Sequence, residues 1–209
     1  MTVSGLYSRI LDALEPGERE SLEDGGKDRL RRLAAISPLY ADLLSREPRT
    51  FLWLEDPSNL NETFRYSAFA RIWSETFVTE PFRLMAVTRA LQRFRRRMSL
   101  RIAYRNLNGL ADTVECLGEL SLLAEFCLQE ITDRVTATWA ERLGSPWDAD
   151  LDRSARFCVL GLGKLGGGEL NFCSDLDLIF LFEGRGHCRR GGDRIQPQTR
   201  SFTPGWHAK

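Results

Sequence analysis

Apolar residues recur at helical spacing through most of the first 155 residues. The spacing predicts one long helix over about residues 81–108 and a second over about residues 111–142. The apolar stripe of the first helix is Leu84, Val87, Leu91, Phe94, Met98 and Ile102, and that of the second is Val114, Leu117, Leu120, Ala124, Cys127, Ile131 and Val135. Because such a stripe packs one helix face on a core, residues 1–155 are expected to form a mainly helical region.

Proline, glycine and capping residues mark the ends of further helices. Ser37-Pro38 is typical of an N-cap followed by proline in the first helical turn, and Glu47-Pro48 is expected to end that helix. Another helix is expected over about residues 66–80. Gly144-Ser145-Pro146 interrupts the last long helix, and the polar residues 148–156 are interpreted as a linker.

The pattern changes after residue 156 to two apolar runs joined by a glycine-rich turn. Residues 157–163 and 175–182 have the length and composition of strands. The turn between them is too short for the helix that connects parallel strands, so they are predicted to be neighbours in one small sheet. The second run is almost continuously apolar, which predicts a strand buried on both faces. The expected fold class is therefore α+β.

Two carboxylates, Asp175 and Asp177, open the second run. Residues two apart on a strand point to the same face, with α-carbons about 6.6 Å apart. Their carboxylates can therefore converge on the metal ions of a phosphoryl-transfer site, and without a cation they would repel each other. The competing interpretation is that the pair is simply the solvated start of a strand.

The glycine turn supplies a second half of such a site. Gly166, Gly167 and Gly168 leave backbone N–H groups open to a phosphate, and Lys164 lies beside them. Since 26 of the 29 basic residues are arginine, a lysine here is unusual, and a compact ammonium suits a phosphate. A chance surface lysine is the alternative. Turn and carboxylates together are typical of a nucleotidyltransferase.

The same glycines also match the dinucleotide-binding pattern Gly-x-Gly-x-x-Gly, at Gly161, Gly163 and Gly166. That pattern requires a helix of about ten or more residues before the next parallel strand. Only eight residues separate Gly166 from Asp175. A dinucleotide-binding oxidoreductase is thus disfavoured, and no P-loop motif is present.

Composition narrows the chemistry further. Both histidines, His187 and His207, follow residue 183, which excludes Ser–His and Cys–His catalysis from residues 1–183. The five cysteines are odd in number and lack Cys-x-x-Cys spacing, which favours a reducing, cytoplasmic location over a disulfide scaffold or zinc site. No apolar run approaches the roughly 20 residues of a membrane span. The N-terminal sequence is not that of a signal peptide.

Arginine is concentrated on the predicted helix over residues 81–108, at positions 89, 93, 95, 96, 97, 101 and 105. A basic helix face can bind nucleic acid. Aromatic residues are sparse among these arginines, however, and residues 1–183 carry a net negative charge. A solvated face, or one paired within the chain, is the favoured interpretation.

Residues 161–180 resemble the nucleotidyltransferase signature of the bacterial bifunctional glutamine synthetase adenylyltransferase/adenylyl-removing enzymes, with Cys173 in place of an expected serine. Phe94-Arg-Arg-Arg-Met98 with Arg101-Ile-Ala-Tyr104 is similar to an upstream helix of that family, and Ser37-Pro38 with Arg46-Glu47-Pro48 resembles its opening segment. The resemblance covers about residues 30–183.

The resemblance implies a fold and a set of site residues. The helical region would be followed by the start of a DNA polymerase β-like nucleotidyltransferase sheet. The implied roles are metal binding and catalysis for Asp175 and Asp177, and nucleotide or phosphate binding for Lys164, Gly166, Gly167, Gly168 and Ser174. The implied cofactor is Mg²⁺ or Mn²⁺, with ATP or ADP as substrate or product.

The family proteins contain two such units, and Gly168 with Asn171-Phe172 resembles the first. That unit is implied to remove an adenylyl group from a tyrosine of glutamine synthetase by phosphorolysis, releasing ADP. The second attaches the group from ATP, and a PII signal protein governs the balance. Glutamine synthetase and PII are thus the expected partners, with no nucleic acid and no membrane.

The sequence departs from the family pattern after Phe182. Residues 184–209 carry five Arg and one Lys against Asp193 and have no strand or helix period, so we expect an aberrant, disordered tail. The third carboxylate of the family, on a later strand, is not found there. The expected organisation is a helical region (1–155), an incomplete nucleotidyltransferase core (156–183) and the tail (184–209), a truncated piece with little activity of its own. The alternative function is a catalytically inactive helical module that docks on glutamine synthetase or a PII-type regulator.

Overall fold

The structure is a computed structural model that describes residues 3–20, 22, 24–76, 84–183, 186–190 and 193–195. The described helices are α1 (Val3–Asp12), α2 (Pro16–Glu20), α3 (Asp24–Ile36), α4 (Pro38–Arg46), α5 (Arg49–Glu55), α6 (Pro57–Leu60), α7 (Tyr66–Thr76), α8 (Leu84–Leu107), α9 (Thr113–Leu143) and α10 (Gly163–Gly166). The strands are β1 (Ser145–Asp148), β2 (Arg153–Ser154), β3 (Phe157–Gly161), β4 (Leu178–Phe182), β5 (Gly186–Arg190) and β6 (Asp193–Ile195). The α+β class and the long helices are confirmed.

Local signals in the sequence set the helix ends. The Ser37 hydroxyl accepts a hydrogen bond from the Tyr40 N–H, so α4 begins as predicted. The Asp112 carboxylate caps α9 by accepting from the N–H of Glu115. Gly144 ends α9 with a φ of +83°, a backbone conformation that side chains other than glycine rarely adopt. The helix expected over residues 66–80 is described as far as Thr76, and residues 77–83 lie outside the described residues.

An aromatic core lies where α7, α8 and α9 meet. Phe69, Trp73, Phe94 and Phe126 form edge-on and tilted ring contacts with centroids 5.2–6.4 Å apart. The predicted stripe of α8 is buried except for its first residue, Leu84.

The predicted stripe of α9 is wrong at its start, because Val114 is exposed while Cys116 is buried. Residues two positions apart on a helix are rotated by about 200° around its axis, so the side chains of Val114 and Cys116 point to opposite sides. The buried residues of α9 are Cys116, Glu119, Leu120, Ser121, Leu123 and Phe126.

Two of the arginines on α8 are interior residues. Arg101 and Arg105 are each at most 2% exposed and contact Glu119 of α9, at 2.9 and 3.3 Å respectively. Arg101 also donates to the carbonyl groups of Asn59 and Glu62. Burial lowers the pKa of Arg101, whereas the charge of Glu119 opposes that shift. The ion pairs therefore join α8 to α9, and the hydrogen bonds of Arg101 hold residues 59–62 against these two helices.

One sheet lies in segments that were predicted from the sequence to be a helix break (144–146), a linker (148–156) and a disordered tail (184–209). Its antiparallel strand order is β2-β1-β5-β6. The expectation was wrong for these strands because they are short and polar, and their pairing uses backbone groups that leave no apolar pattern. Residues 196–209 of the expected tail lie outside the described residues.

The signature strands β3 and β4 form a separate antiparallel pair, with Phe157 opposite Phe182 and Gly161 opposite Leu178. Their adjacency confirms the prediction from the short turn. Burial on both faces was wrong, since Phe180 is 52% exposed and Phe182 is 78% exposed. Within the described residues, no further strand pairs with either one, which leaves these apolar side chains uncovered.

Two further observations concern the cysteines and the length of the apolar helices. All five cysteines are free thiols. Among the helices described, none has both the length and the apolar character needed to cross a bilayer.

Candidate functional site

The strand pair brings Asp177 to the beginning of the glycine turn. The N–H of Leu162 donates to the backbone carbonyl of Asp177 over 2.8 Å. Gly163 follows with a φ of +55°, and a Cβ atom placed on it would lie 3.0 Å from the Asp177 Oδ2 atom. The carboxylate of Asp177 therefore lies against the turn, and glycine is required there both by the backbone angle and by this close approach.

Asp175 and Asp177 lie in an exposed segment without regular secondary structure, just before β4. Their expected position on a buried strand was wrong, so desolvation does not by itself require a cation beside them. Within the described chain, neither carboxylate forms a hydrogen bond or an ion pair, so both are available to an external ligand.

The N–H groups of the glycine turn are bonded at the end where they were expected to be open. Those of Gly166, Gly167 and Gly168 donate to the carbonyls of Leu162, Gly163 and Leu165, respectively, at 3.0–3.1 Å. The expectation that these three N–H groups are bare was wrong, because the turn closes into the short helix α10. In the described structure, the N–H groups of α10 without a protein acceptor are at its other end, at Gly163, Lys164 and Leu165.

Lys164 and Ser174 differ in availability. The side chain of Lys164 is exposed and has no acidic partner among the residues that the structure describes. The hydroxyl of Ser174 donates to the Asn171 Oδ1 atom over 2.7 Å and accepts from the Asn171 N–H over 3.2 Å. Ser174 thus stabilises the turn ahead of Asp175, and its hydroxyl is occupied.

Three leucines attach the signature segment to the helical core. Leu165 and Leu170 are buried in the aromatic core of α7, α8 and α9, and Leu178 packs against it. The N–H of Leu170 also donates to the Ser121 hydroxyl of α9 over 3.0 Å. The two aspartates therefore lie between two attachment points, Leu170 and Leu178. The role of Ser121 was not predicted from the sequence, because no pattern around it indicates a distant partner.

A cleft of about 900 Å³ separates α9 from β3 and the glycine turn. Gly161 and Gly166 line one wall, and Tyr66, Glu125 and Asp133 line the other. Burial raises the pKa of Tyr66, with a smaller contribution from nearby acids that include Asp133. Neither Asp175 nor Asp177 lines this cleft, so the structure joins Asp177 to Gly163 without enclosing both aspartates and the turn in one cavity.

The donor set is compatible with a hard divalent cation. Mg²⁺ and Mn²⁺ prefer oxygen ligands, and Mg²⁺ is commonly held by one or two protein carboxylates with the substrate phosphates and water. Asp175 and Asp177 offer such oxygen atoms without a competing protein cation. No cluster of three or more acidic, histidine or cysteine side chains suited to a metal occurs among the described residues.

Comparison with known proteins gives matches over most of the chain. The family described as glutamate-ammonia ligase adenylyltransferase matches residues 27–203, which extends beyond residue 183 into the segment expected to be aberrant. A bifunctional glutamine synthetase adenylyltransferase/adenylyl-removing enzyme from Shewanella loihica is 31% identical over 203 residues, covering 94% of this chain and 20% of the relative.

Two further relatives carry the same name. The protein from Shewanella woodyi is 30% identical over 194 residues, covering 92% of this chain and 20% of its own length. The protein from Thioalkalivibrio sulfidiphilus is 48% identical over 101 residues, covering 48% of this chain and 10% of its own length. The chain thus spans at most about a fifth of these relatives. The family match includes most of the residues of this chain, and the chain therefore belongs to the glutamate-ammonia ligase adenylyltransferase family.

Proposed function

We propose that this chain contributes the glycine turn and two metal-binding carboxylates to a nucleotidyltransferase that acts on glutamine synthetase. The observation that carries the proposal is the contact between the two halves of the signature. Asp177 lies against Gly163, and the Leu162 N–H is bonded to the Asp177 carbonyl. Phosphate-binding groups and carboxylates need this proximity to act on one phosphoryl group.

Asp175 and Asp177 would hold Mg²⁺ or Mn²⁺ through their carboxylate oxygens. A divalent cation at this place would neutralise negative charge on phosphoryl oxygens. Lys164 and the N–H groups of Gly163 and Lys164 would contact a phosphate oxygen. Gly166, Gly167 and Gly168 would then act by shaping α10 rather than by donating, since their own N–H groups are bonded within the chain.

The reaction we assign to this unit is removal of an adenylyl group from a tyrosine of glutamine synthetase. In phosphorolysis, an oxygen of inorganic phosphate bonds to the adenylyl phosphorus. The bond from that phosphorus to the tyrosine oxygen breaks, the tyrosine oxygen takes up a proton, and ADP leaves. The support for this direction is the likeness of Gly168 and Asn171-Phe172 to the adenylyl-removing unit. ATP-dependent attachment, and control by a PII signal protein, would belong to the longer protein.

The proposal can be tested by placing residues 27–203 of this chain in the matching segment of the Shewanella loihica relative. ADP release from adenylylated glutamine synthetase would be measured with Mg²⁺ and phosphate, and AMP incorporation from ATP would be measured separately. We expect Asp175→Asn and Asp177→Asn each to reduce ADP release by orders of magnitude and to spare AMP incorporation. ADP release that persists in both variants would contradict the proposal, and loss of AMP incorporation alone would contradict the assigned direction.

A second candidate, a docking module without chemistry, is favoured by one observation. An apolar groove of about 660 Å³ lies between the end of α9 and the strands, with Trp139, Phe157, Phe180 and Phe182 in its lining. If the chain is only a docking module, Asp175→Asn and Asp177→Asn would leave ADP release unchanged. Charged substitutions in the groove, such as Phe180→Lys, would instead reduce it.

A further inference from the structure

The signature segment and the helical region are joined by few polar contacts. Among the described residues, the only side-chain hydrogen bond between α1–α9 and residues 157–183 joins the Ser121 hydroxyl to the Leu170 N–H. The other attachments are the apolar contacts of Leu165, Leu170 and Leu178. Apolar contacts hold a segment close without fixing its orientation, whereas a hydrogen bond fixes a direction as well.

Ser121 is suited to fix that direction. Its hydroxyl donates to the Leu117 carbonyl over 2.8 Å and accepts from Leu170 over 3.0 Å, so both of its roles are used and its rotamer is set. The side chain is 3% exposed, and Leu170 is 7% exposed. Without the hydroxyl, the Leu170 N–H would be buried without an acceptor. The free energy of its lost hydration would then not be recovered by a hydrogen bond within the protein.

The helix around Ser121 is itself held rigidly. Glu119, two residues earlier, receives hydrogen bonds from Arg101 and Arg105 of α8. The N–H of Phe64 also donates to Glu119. The Ser121 hydroxyl therefore lies on a part of α9 that cannot move independently of α8. A fixed support of this kind is needed if catalytic side chains are to keep their geometry.

We propose that Ser121 is a positioning residue, which orients the glycine turn and the Asp175–Asp177 pair relative to the helical region. Leu170 lies five residues before Asp175, and the short Asn171–Ser174 turn between them is closed by its own hydrogen bonds. A change at Leu170 is therefore transmitted to the aspartates. The consequence for metal binding rests on the function proposed above, whereas the orientation of the turn does not.

The first test is limited trypsin digestion of the 209-residue chain, with mass spectrometry of the peptide that ends at Lys164. Lys164 is exposed within the turn, so its cleavage reports how firmly the turn is held. We expect Ser121→Ala to raise the cleavage rate about tenfold, the factor that corresponds to a buried N–H losing its acceptor. Ser121→Thr keeps a hydroxyl that can bond the same helical carbonyl and should restore the slow rate.

Ser74→Ala is the matched control, because the Ser74 hydroxyl also donates to a carbonyl of its own helix but contacts no distant segment. We expect cleavage after Lys164 to be unchanged in this variant. An unchanged rate in Ser121→Ala, an equal rise in Ser74→Ala, or failure of Ser121→Thr to restore slow cleavage would overturn the proposal.

The second measurement is Mn²⁺ binding to the same three variants, followed by the electron paramagnetic resonance signal of the free ion. We expect Ser121→Ala to weaken Mn²⁺ binding several-fold and the other two variants to match the unsubstituted chain. Equal affinity in Ser121→Ala would overturn the transmission to the aspartates. If the unsubstituted chain binds no Mn²⁺, the proposed function fails, whereas the trypsin comparison still decides the role of Ser121.

Discussion

The helical region and the β3–β4 pair differ in how far their aromatic side chains are buried. Phe69, Phe94 and Phe126 are completely buried, whereas Phe180 and Phe182 of β4 are largely exposed. The helices bury their aromatic residues mainly against one another, and Leu165, Leu170 and Leu178 of the signature segment pack on that core. The strand pair instead depends on Leu165, Leu170, Leu178 and Ser121 for its position. Stability is therefore expected to reside in one region and the candidate chemistry in the other.

The largest expected effect comes from removing the buried acid of the helical region. Glu119→Ala would leave Arg101 and Arg105 without their shared carboxylate in a site that water does not reach. Breaking such a buried pair costs about 3–5 kcal/mol of unfolding free energy. Urea denaturation would measure it. Glu75→Ala, which removes an exposed partner of Arg71, should cost no more than about 1 kcal/mol.

A matched pair of phenylalanines tests the comparison directly. Phe126→Ala should lower the unfolding free energy by about 3–5 kcal/mol, because it opens a cavity in the aromatic core. Phe182→Ala should change it by less than about 0.5 kcal/mol, since that side chain is largely in solvent. Equal losses in the two variants would mean that β4 is buried in solution. Light scattering should also show less self-association for Phe182→Ala.

A smaller effect is expected within the glycine turn. Gly163→Ala would force a side chain into a left-handed conformation and against the Asp177 carboxylate, at a cost of about 1–2 kcal/mol. Gly167→Ala is the control, because Gly167 has a right-handed helical backbone with a φ of −83°. Calorimetric melting of both variants would compare them. A lower melting temperature for Gly167→Ala than for Gly163→Ala would contradict the described turn.

The smallest effect is a pH dependence at the end of the strand pair. The hydrogen bond from Arg156, with a smaller contribution from Arg153, lowers the pKa of Glu183 to about 2 from its ordinary 4.5. Because the folded pKa is depressed, this stabilisation is complete above pH 4.5 and is lost as the pH falls towards 2.

Hydrogen exchange at the Glu183 N–H, which donates to the Arg156 carbonyl, would follow that loss. The protection factor of this N–H, which takes out the intrinsic pH dependence of exchange, should fall on acidification in the unsubstituted chain but not in Glu183→Gln, which cannot titrate. The same pH response in both chains would rule out the depressed pKa.

The elements that the sequence predicted well are those whose signal is local. The spacing of Phe94 and Met98 indicates a helix that packs on a core, and the short turn before Asp175 allows only antiparallel neighbours. A cap such as Ser37 acts within one helical turn and is equally readable. These features need no knowledge of distant partners.

The features that the sequence did not predict depend on distant contacts or on backbone pairing. Polar β1 pairs with β5, about 40 residues later, in a backbone ladder that no apolar pattern announces. The N–H of Gly166 is taken up by Leu162 because the turn closes into α10. Ser121 lies 49 residues from Leu170, so no motif links them. For the candidate site, the bonding that decides which groups are available could not be predicted from the sequence.

The most direct test of the central claim is calorimetric titration of the 209-residue chain with Mn²⁺ at near-neutral pH. We expect one Mn²⁺ site that is lost in both Asp175→Asn and Asp177→Asn and kept in Asp133→Asn, a control at an exposed acid of α9. Circular dichroism should show that all three variants retain their helices. Undiminished Mn²⁺ binding in both Asp175→Asn and Asp177→Asn would contradict the metal-binding role of the signature.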